Sequence, residues 1–229
     1  KMKPTNKILL AFIVLLFLSF AAFRLIIHSK IELVPRDYKF GYVNDAITIE
    51  KFSKLIVNGG YYVHLIKSDF DSMKVKGPDN LVKNYTAITN KNGVFNIESK
   101  IDLTKYLNEI TIWIYTKELE SVYANKSAIV AMEGFNAKRF DLEAKDSSII
   151  NCENCSFINS RLTLKDKAVI SVDKTQNAVI AVNDSATVFL NVENGDISGI
   201  ISDKVELMLT GTIKNNTIIK AENKPGGSK

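Results

Sequence analysis

The chain has 229 residues, of which 46 % are hydrophobic and 24 % are charged. These proportions are typical of a globular protein and exclude an intrinsically disordered chain. The formal net charge is +5, but the lysines are interleaved with acidic residues and form no basic run with aromatic residues, so the sequence does not predict nucleic-acid binding.

An apolar segment near the start of the chain predicts a transmembrane helix. Residues 8–27 contain a single charged residue, Arg24, and a helix of about 20 apolar residues spans the hydrocarbon core of a bilayer. Lys3 and Lys7 precede the segment, so the positive-inside rule keeps the N-terminus cytoplasmic. We expect a single-pass protein of a bacterial inner membrane, with residues 1–28 as stub and signal-anchor helix and the C-terminal domain in the periplasm.

A cleaved signal peptide is the alternative interpretation of this segment. Ser19 and Ala21 would then provide a small-x-small cleavage site after Ala21. Cleavage would release the domain to the periplasm or the cell surface, so both interpretations export it. In the anchored form a partner helix would shelter the charge of Arg24, and we therefore predict a contact with a membrane partner there.

The residues that follow change from an irregular to a strand pattern. Residues 29–48 are expected to form a stalk, since Pro35 and Gly41 break any hydrophobic period. Residues 49–118 form the N-terminal β part of the domain, in which residues 58–60, Asn-Gly-Gly, signal a hairpin or a corner. Its clearest strand places Ile110, Ile112 and Ile114 on one face and Trp113 on the other.

A four-residue phrase recurs through residues 119–221 and predicts a β-solenoid. It reads Asn-Lys-Ser-Ala at 125–128, Lys-Asp-Ser-Ser at 145–148, Lys-Asp-Lys-Ala at 165–168, Asn-Asp-Ser-Ala at 183–186 and Ser-Asp-Lys-Val at 202–205. Each phrase separates two short runs of alternating apolar and polar residues, as one solenoid coil does. Residues 212–221 are expected to cap the last coil, and residues 222–229 to form a flexible tail.

Alignment of the coils at this phrase places apolar residues of similar size in four columns. Stacked coils require such columns, because each coil buries its apolar side chains only against its neighbours. The columns are Val122, Leu142, Leu162, Ile180 and Gly199; Ala124, Ala144, Leu164, Val182 and Ile201; Val130, Ile150, Ile170, Val188 and Leu207; and Met132, Cys152, Val172, Leu190 and Leu209.

Four segments of the first part, together with the coils, resemble the head GIN domain family. They are FSKLIVNGGYYVHL at 52–65, MKVKGPDNL at 73–81, NGVFNI at 92–97 and ITIWIYTKELESV at 110–122. The resemblance covers residues 49–209 and implies a right-handed parallel β-helix from a bacterial family abundant in Bacteroidota and labelled an adhesin head. It implies no catalytic residues. The chain departs from the family in having Asp-Ser or Asp-Lys at turns where glycine is common, and in the apparent membrane anchor.

Two features of the coils invite a chemical interpretation. Cys152 and Cys155 form a C-x-x-C motif, but the second pair of ligands for zinc and the βαβ context of a thioredoxin-like site are both missing. Core packing or a disulfide at a corner is the simpler interpretation. The aspartates of the recurring phrase could line up to bind Ca²⁺, but neighbouring lysines neutralise them and Asp suits tight turns. We predict no metal and no cofactor.

Exposed aromatic residues are the better indication of function. Tyr61, Tyr62, Trp113 and Tyr115 lie in the first part of the domain, and a shared face would bind protein or glycan. The alternative is that they pack beneath loops.

The sequence therefore predicts a non-enzymatic, membrane-anchored envelope protein. Its β-helix is expected to serve as a scaffold for protein partners, as an accessory subunit of a membrane complex. The alternative is an adhesin-like protein that binds glycan or a surface. A polysaccharide-active enzyme is the third candidate, but carboxylate pairs such as Asp141 and Glu143 have no diagnostic spacing and the turns are too short for catalytic loops.

Overall fold

The computed structural model describes residues 47–78, 82, 86–100 and 110–221. Within these residues, fourteen strands form one continuous sheet that coils around a filled interior. The strands are β1 (Ile47–Thr48), β2 (Lys54–Asn58), β3 (Tyr62–Lys67), β4 (Ser72–Lys76), β5 (Thr86–Lys91), β6 (Val94–Ser99), β7 (Thr111–Thr116), β8 (Ser121–Asn125), β9 (Ile129–Glu133), β10 (Asn136–Ala144), β11 (Ile149–Leu164), β12 (Val169–Val182), β13 (Thr187–Ser202) and β14 (Glu206–Ala221). The predicted all-β solenoid is confirmed, while its right-handed winding stays a prediction.

Each coil has a first side before the recurring turn and a second side after it. The first side is built from β2, β6, β8 and the last residues of β10 to β14, and the second from β3, β7, β9 and the first residues of β11 to β14. Neighbouring coils pair in parallel, so each residue lies opposite its counterpart one coil away. Leu142, for example, lies between Val122 and Leu162. All four predicted columns have this register.

The recurring phrase forms the tight turn between the two sides. Its second and third residues have φ between 50° and 64° in three coils, at Lys126 and Ser127, at Asp146 and Ser147, and at Asp166 and Lys167. Two successive left-handed residues are those of a type I′ turn. The turns also bond to one another, since the amide of Ser147 donates to the carbonyl of Asp166 at 2.9 Å.

A ladder of amide and carboxylate side chains runs along the solenoid and was not predicted. Asn177 donates through Nδ2 to Oδ1 of Asn159 at 3.2 Å and accepts at Oδ1 from the amide of Asp196 at 3.0 Å. Asn215 then donates through Nδ2 to Oδ1 of Asp196 at 2.9 Å. Like polar side chains that stack in successive coils can hydrogen-bond to one another, just as like apolar side chains in the columns pack against one another.

The coils begin earlier in the chain than predicted, and their order in space differs from their order in sequence. β2 and β3 form a coil that lies between the β8–β9 coil on one side and the β6–β7 coil on the other. β2 and β3 do not pair with each other, so residues 58–60 form a corner and not a hairpin. The outer coil is covered by antiparallel strands, β5 on β6 and β4 on β7.

The predictions for the two ends of the chain have different outcomes. Those for residues 1–28 and 222–229 lie outside the described residues, and among the residues described no helix is long and apolar enough to cross a membrane. Ile47 and Thr48, assigned to the stalk, form β1 and pair antiparallel with β4. Residues 212–221, expected to be a cap, continue β14 as a further turn of the coil paired in parallel with β13.

Gly199 occupies a column position where no larger residue fits, and its substitution tests the stacking. Its φ of +148° is unfavourable for other residues, and a Cβ there would overlap the carbonyl oxygen of Ile180 in the coil beneath. We expect Gly199→Ala to lower the free energy of unfolding by about 3 kcal/mol, measured by denaturant titration. The neighbouring substitution Ser198→Ala should change it by less than about 0.5 kcal/mol, and equal effects of the two would contradict the register.

Candidate binding surface

The outer surface of the second side gathers the aromatic residues of β3 and β7. Val63 and Leu65 point into the core and are fully buried, so the alternation of the strand turns Tyr62 and His64 outward. β7 pairs with β3 in parallel and brings Trp113 beside His64 and Tyr115 beside Ile66. Two strands far apart in sequence thereby form one surface.

The aromatic rings contact one another across the strands. Tyr62 meets His64 edge-on with 4.6 Å between the ring centroids, and His64 stacks on Trp113 at 5.5 Å with 3° between the planes. Phe70 stacks on Tyr115 at 6.3 Å. We call Tyr62, His64, Phe70, Trp113 and Tyr115 the aromatic surface.

A cation borders this surface on β4. Lys74 pairs with Trp113 across the antiparallel strands, and its Nζ lies 5.9 Å from the centroid of the Trp113 ring. A cation at this distance from an indole is attracted by the electron-rich face of the ring. The indole of Trp113 packs between the Lys74 ammonium and the His64 imidazole, which hold it in one orientation. Part of the indole stays open to solvent.

The structure brings together three of the four aromatic residues proposed from sequence. Tyr62, Trp113 and Tyr115 are half-buried members of the aromatic surface. Tyr61 is not, because it is 1 % exposed and its hydroxyl donates to Oγ1 of Thr86 at 3.3 Å. Burial is the main reason that the pKa of Tyr61 is raised. Tyr61 directly precedes β3 and lies in the core, which agrees with the alternative of packing and keeps it out of the aromatic surface.

Sequence reasoning missed two members of the surface. His64 has the same strand parity as Tyr62, and this alternation with Val63 and Leu65 was a usable signal. Phe70 lies between β3 and β4, is 64 % exposed and joins the surface only through its ring contact with Tyr115. No periodic pattern in the sequence could place it there.

The C-x-x-C motif lies in the core. Cys152 and Cys155 are buried free thiols. The sulfur of Cys152 lies 3.6 Å from the sulfur of Met132, its neighbour in the same column one coil earlier. Hydrogen bonding with Cys155 and burial raise the pKa of the Cys152 thiol, so that it stays protonated. The packing interpretation agrees with this placement, while the disulfide stays a prediction. Among the described residues, no group of three or more His, Cys, Asp or Glu side chains is placed to hold a metal ion.

Arg24, the predicted contact with a membrane partner, lies outside the described residues.

Comparison with known proteins identifies relatives of the domain. The model of the family described as "Putative auto-transporter adhesin, head GIN domain" matches residues 51–171, more than half of the chain. No curated protein matches the chain.

Three solved structures align with most of the chain. A "putative adhesin" from Bacteroides fragilis aligns with a TM-score of 0.60 and 10 % identity, over 80 % of this chain and 94 % of that one. A "putative adhesin" from Parabacteroides merdae has a TM-score of 0.46 and 13 % identity, over 78 % and 95 % of the two chains. A "putative lipid binding protein" from Parabacteroides distasonis has a TM-score of 0.44 and 15 % identity, over 78 % and 96 %. The first of these supports a common fold.

The titration of His64 yields a test of its packing in the aromatic surface. Burial lowers the pKa of His64 below its ordinary value of 6.5, although the charge of Glu133 opposes this. The folded state therefore binds fewer protons than the unfolded state below that value, and stability must rise with pH there. We expect the free energy of unfolding to fall between about pH 7.5 and 5.5, and to fall less in His64→Gln.

Denaturant titration of both proteins across this range provides the measurement. An equal or steeper fall in His64→Gln would show that His64 is not desolvated in the folded protein.

Proposed function

Because the chain belongs to the head GIN domain family, we propose that it is a non-enzymatic binding protein whose β-solenoid docks a protein partner through the aromatic surface. The observation that carries this proposal is the convergence of Tyr62, His64, Trp113 and Tyr115 on one side of the solenoid. Trp and Tyr are enriched among the residues that supply most of the binding energy at protein interfaces.

The rigidity of the surface supports this role. The backbone of β3 is hydrogen-bonded to β7 on one side and to β9 on the other, and His64 stacks between Tyr62 and Trp113. Side chains that are already ordered lose little conformational entropy on binding. A half-buried aromatic cluster also leaves apolar area for a partner to cover.

The interior supports a non-enzymatic role. Apolar columns fill both sides of the coils, with Leu55, Val63, Leu142 and Ile150 at 0–1 % exposure. Asp141 and Glu143 each form an ion pair, Asp141 with Arg139 at 3.4 Å and Glu143 with Lys145 at 2.7 Å. Both carboxylates line a cavity of about 280 Å³, but each is held by a cation, whereas glycoside cleavage uses one carboxyl group as acid and the other as base or nucleophile.

We place the protein in the bacterial inner membrane, anchored by residues 8–27, with the solenoid in the periplasm. The apolar length of this segment and the preceding lysines support the assignment. Arg24 within the span is the proposed contact with a helix of the partner, which makes the protein an accessory subunit of a membrane complex.

Glycan binding is the second candidate, and the same surface favours it. The outward-facing aromatic rings leave part of their apolar area open to solvent, and the apolar face of a sugar ring can pack against it. A glycan ligand would need the rings but no complementary protein surface beyond them.

A single substitution distinguishes the aromatic surface from the rest of the solenoid. We expect Trp113→Ala to weaken binding of the partner by at least about tenfold, because loss of an interface residue that contributes about 2 kcal/mol has an effect of this size. Tyr123→Ala is the matched control, since Tyr123 is a half-buried tyrosine on the first side of the coil with a lysine over its ring. Cross-linking in native membranes followed by quantitative mass spectrometry identifies the partner and measures its recovery.

Equal recovery with Trp113→Ala and wild type would overturn docking through this surface. The same three proteins applied to a polysaccharide array test the second candidate, for which binding must also depend on Trp113.

Anchoring has a separate test in the native bacterium. We expect the chain to stay with membranes after alkaline carbonate extraction, and the solenoid to be digested by protease only after the outer membrane is opened. A mature N-terminus directly after Ala21 would contradict the anchor, and protection of the solenoid in opened cells would contradict export.

A further inference from the structure

Residues 136–140 have a sheet neighbour on one side only in the middle of the solenoid, whereas the other one-sided strands described, β1, β5 and β14, lie at the edges of the sheet. The whole of β10 pairs with β11, but β8 pairs only with its last four residues, Asp141 to Ala144. Among the described strands, none adjoins the other edge of residues 136–140. The coils before β10 have no side of their own at this position, because residues 117–120 lead directly from β7 to β8. Backbone groups along this edge are therefore available to a further strand.

A cavity of about 660 Å³ lies beside this unpaired edge. Asn136, Ala137, Lys138 and Arg139 of β10 form one wall, and residues 117–121 form the opposite wall. Phe135 lines it as well, with Nζ of Lys67 5.9 Å from the centroid of its ring. We call this cavity the β10 groove.

Cations outnumber carboxylates in the lining of the β10 groove by four to three. Lys67, Lys117, Lys138 and Arg139 all line it. Of the three carboxylates, Glu118 pairs with Lys51 at 2.7 Å and Asp141 with Arg139 at 3.4 Å, while Glu120 lines the groove next to them in sequence. The hydrogen bond and charge of Lys51, together with the charges of Lys117 and Lys67, lower the pKa of Glu118. An anion entering the groove would meet the same positive field.

We propose that the β10 groove binds an extended acidic segment of a partner protein, which joins the sheet as a strand along residues 136–140. The unpaired backbone edge supplies hydrogen bonds for a peptide, and strand addition of this kind is a general mode of peptide recognition. The surrounding lysines and arginine select acidic side chains.

Charge and chemistry favour this occupant over two others. A second copy of the chain pairing through its own β10 would set Lys138 and Arg139 against identical cations. An acidic polysaccharide could neutralise the cations, but it carries no row of amide and carbonyl groups to pair with a strand edge.

The β10 groove is separate from the aromatic surface but adjoins it around the coil. Lys67 directly follows Ile66 of the second side, and Lys117 directly follows the end of β7. The inference stands without the proposed function, because none of the groove residues belongs to the aromatic surface.

Labelled heptapeptides test the proposal on the purified chain by fluorescence anisotropy. The probe alternates valine and glutamate, a second peptide has lysine in place of glutamate, and a third is the acidic peptide with alternate amides N-methylated so that one edge cannot pair. We expect the acidic peptide to bind at least about tenfold tighter than either of the others. It should also slow amide hydrogen exchange at residues 136–140.

Charge reversal in the protein locates the site. Lys117→Glu combined with Lys138→Glu should weaken the acidic peptide at least about tenfold. Lys204→Glu combined with Lys220→Glu makes the same change in net charge at exposed positions of the last coil and should leave binding within about twofold. Thermal unfolding of both variants reports whether they fold.

Three outcomes would overturn the proposal. The first is equal affinity of the acidic peptide and its N-methylated form, which would indicate a polyanion site without strand pairing. The second is an equal loss of peptide affinity in the two charge-reversed proteins. The third is no binding of the acidic peptide at a concentration of about 1 mM. Trp113→Ala should leave peptide affinity unchanged, so that failure of the groove and failure of the aromatic surface give different results.

Discussion

The parallel hydrogen-bond ladder between coils is the constraint on which the rest of the structure depends. It sets neighbouring strands about 4.8 Å apart and fixes each residue above its counterpart, as with Ile150 between Val130 and Ile170. Interior residues must then be of like size, and polar residues such as Asn159 and Asn177 can bond to one another. The outer surface follows the same register, since pairing of β3 with β7 alone places His64 on Trp113. Packing and recognition in this protein therefore have a single geometric origin.

Sequence reasoning succeeded where the chain repeats and failed where it does not. The recurring turn phrase marks every coil after Leu119, and an alignment at that phrase gives the residue pairs that the structure has. The earlier coils lack the phrase, so neither the neighbours of β2 nor the insertion of its coil between later ones could be predicted. The sequence also did not separate Tyr61, which is buried just before β3, from Tyr62, which faces outward as the first residue of that strand. The unpaired edge of β10 exists because no described strand adjoins the other edge of residues 136–140. The sequence of β10 itself carries no sign of this missing neighbour.

The two surfaces meet at the corner where the second side ends. The aromatic surface offers apolar area held rigid by stacking, while the β10 groove offers backbone edges within a positive field. A protein that combines a folded region with an acidic extended segment could engage both, and its affinity would then gain from the short distance between the sites. The solenoid suits such a role because its filled interior keeps both surfaces in fixed relative positions.

The placement of the β2–β3 coil affects how the chain can fold while it is synthesised from its N-terminus. This coil comes first in the chain, yet the coils that cover its two edges are formed by β6 with β7 and by β8 with β9. One of its edges stays open until Thr116 has appeared and the other until Glu133 has appeared, and open edges of apolar strands invite wrong pairing. Coils later than β9 each find a finished template beneath them. We therefore expect assembly of the first three coils to be slower than addition of the later coils, each of which pairs with the coil before it.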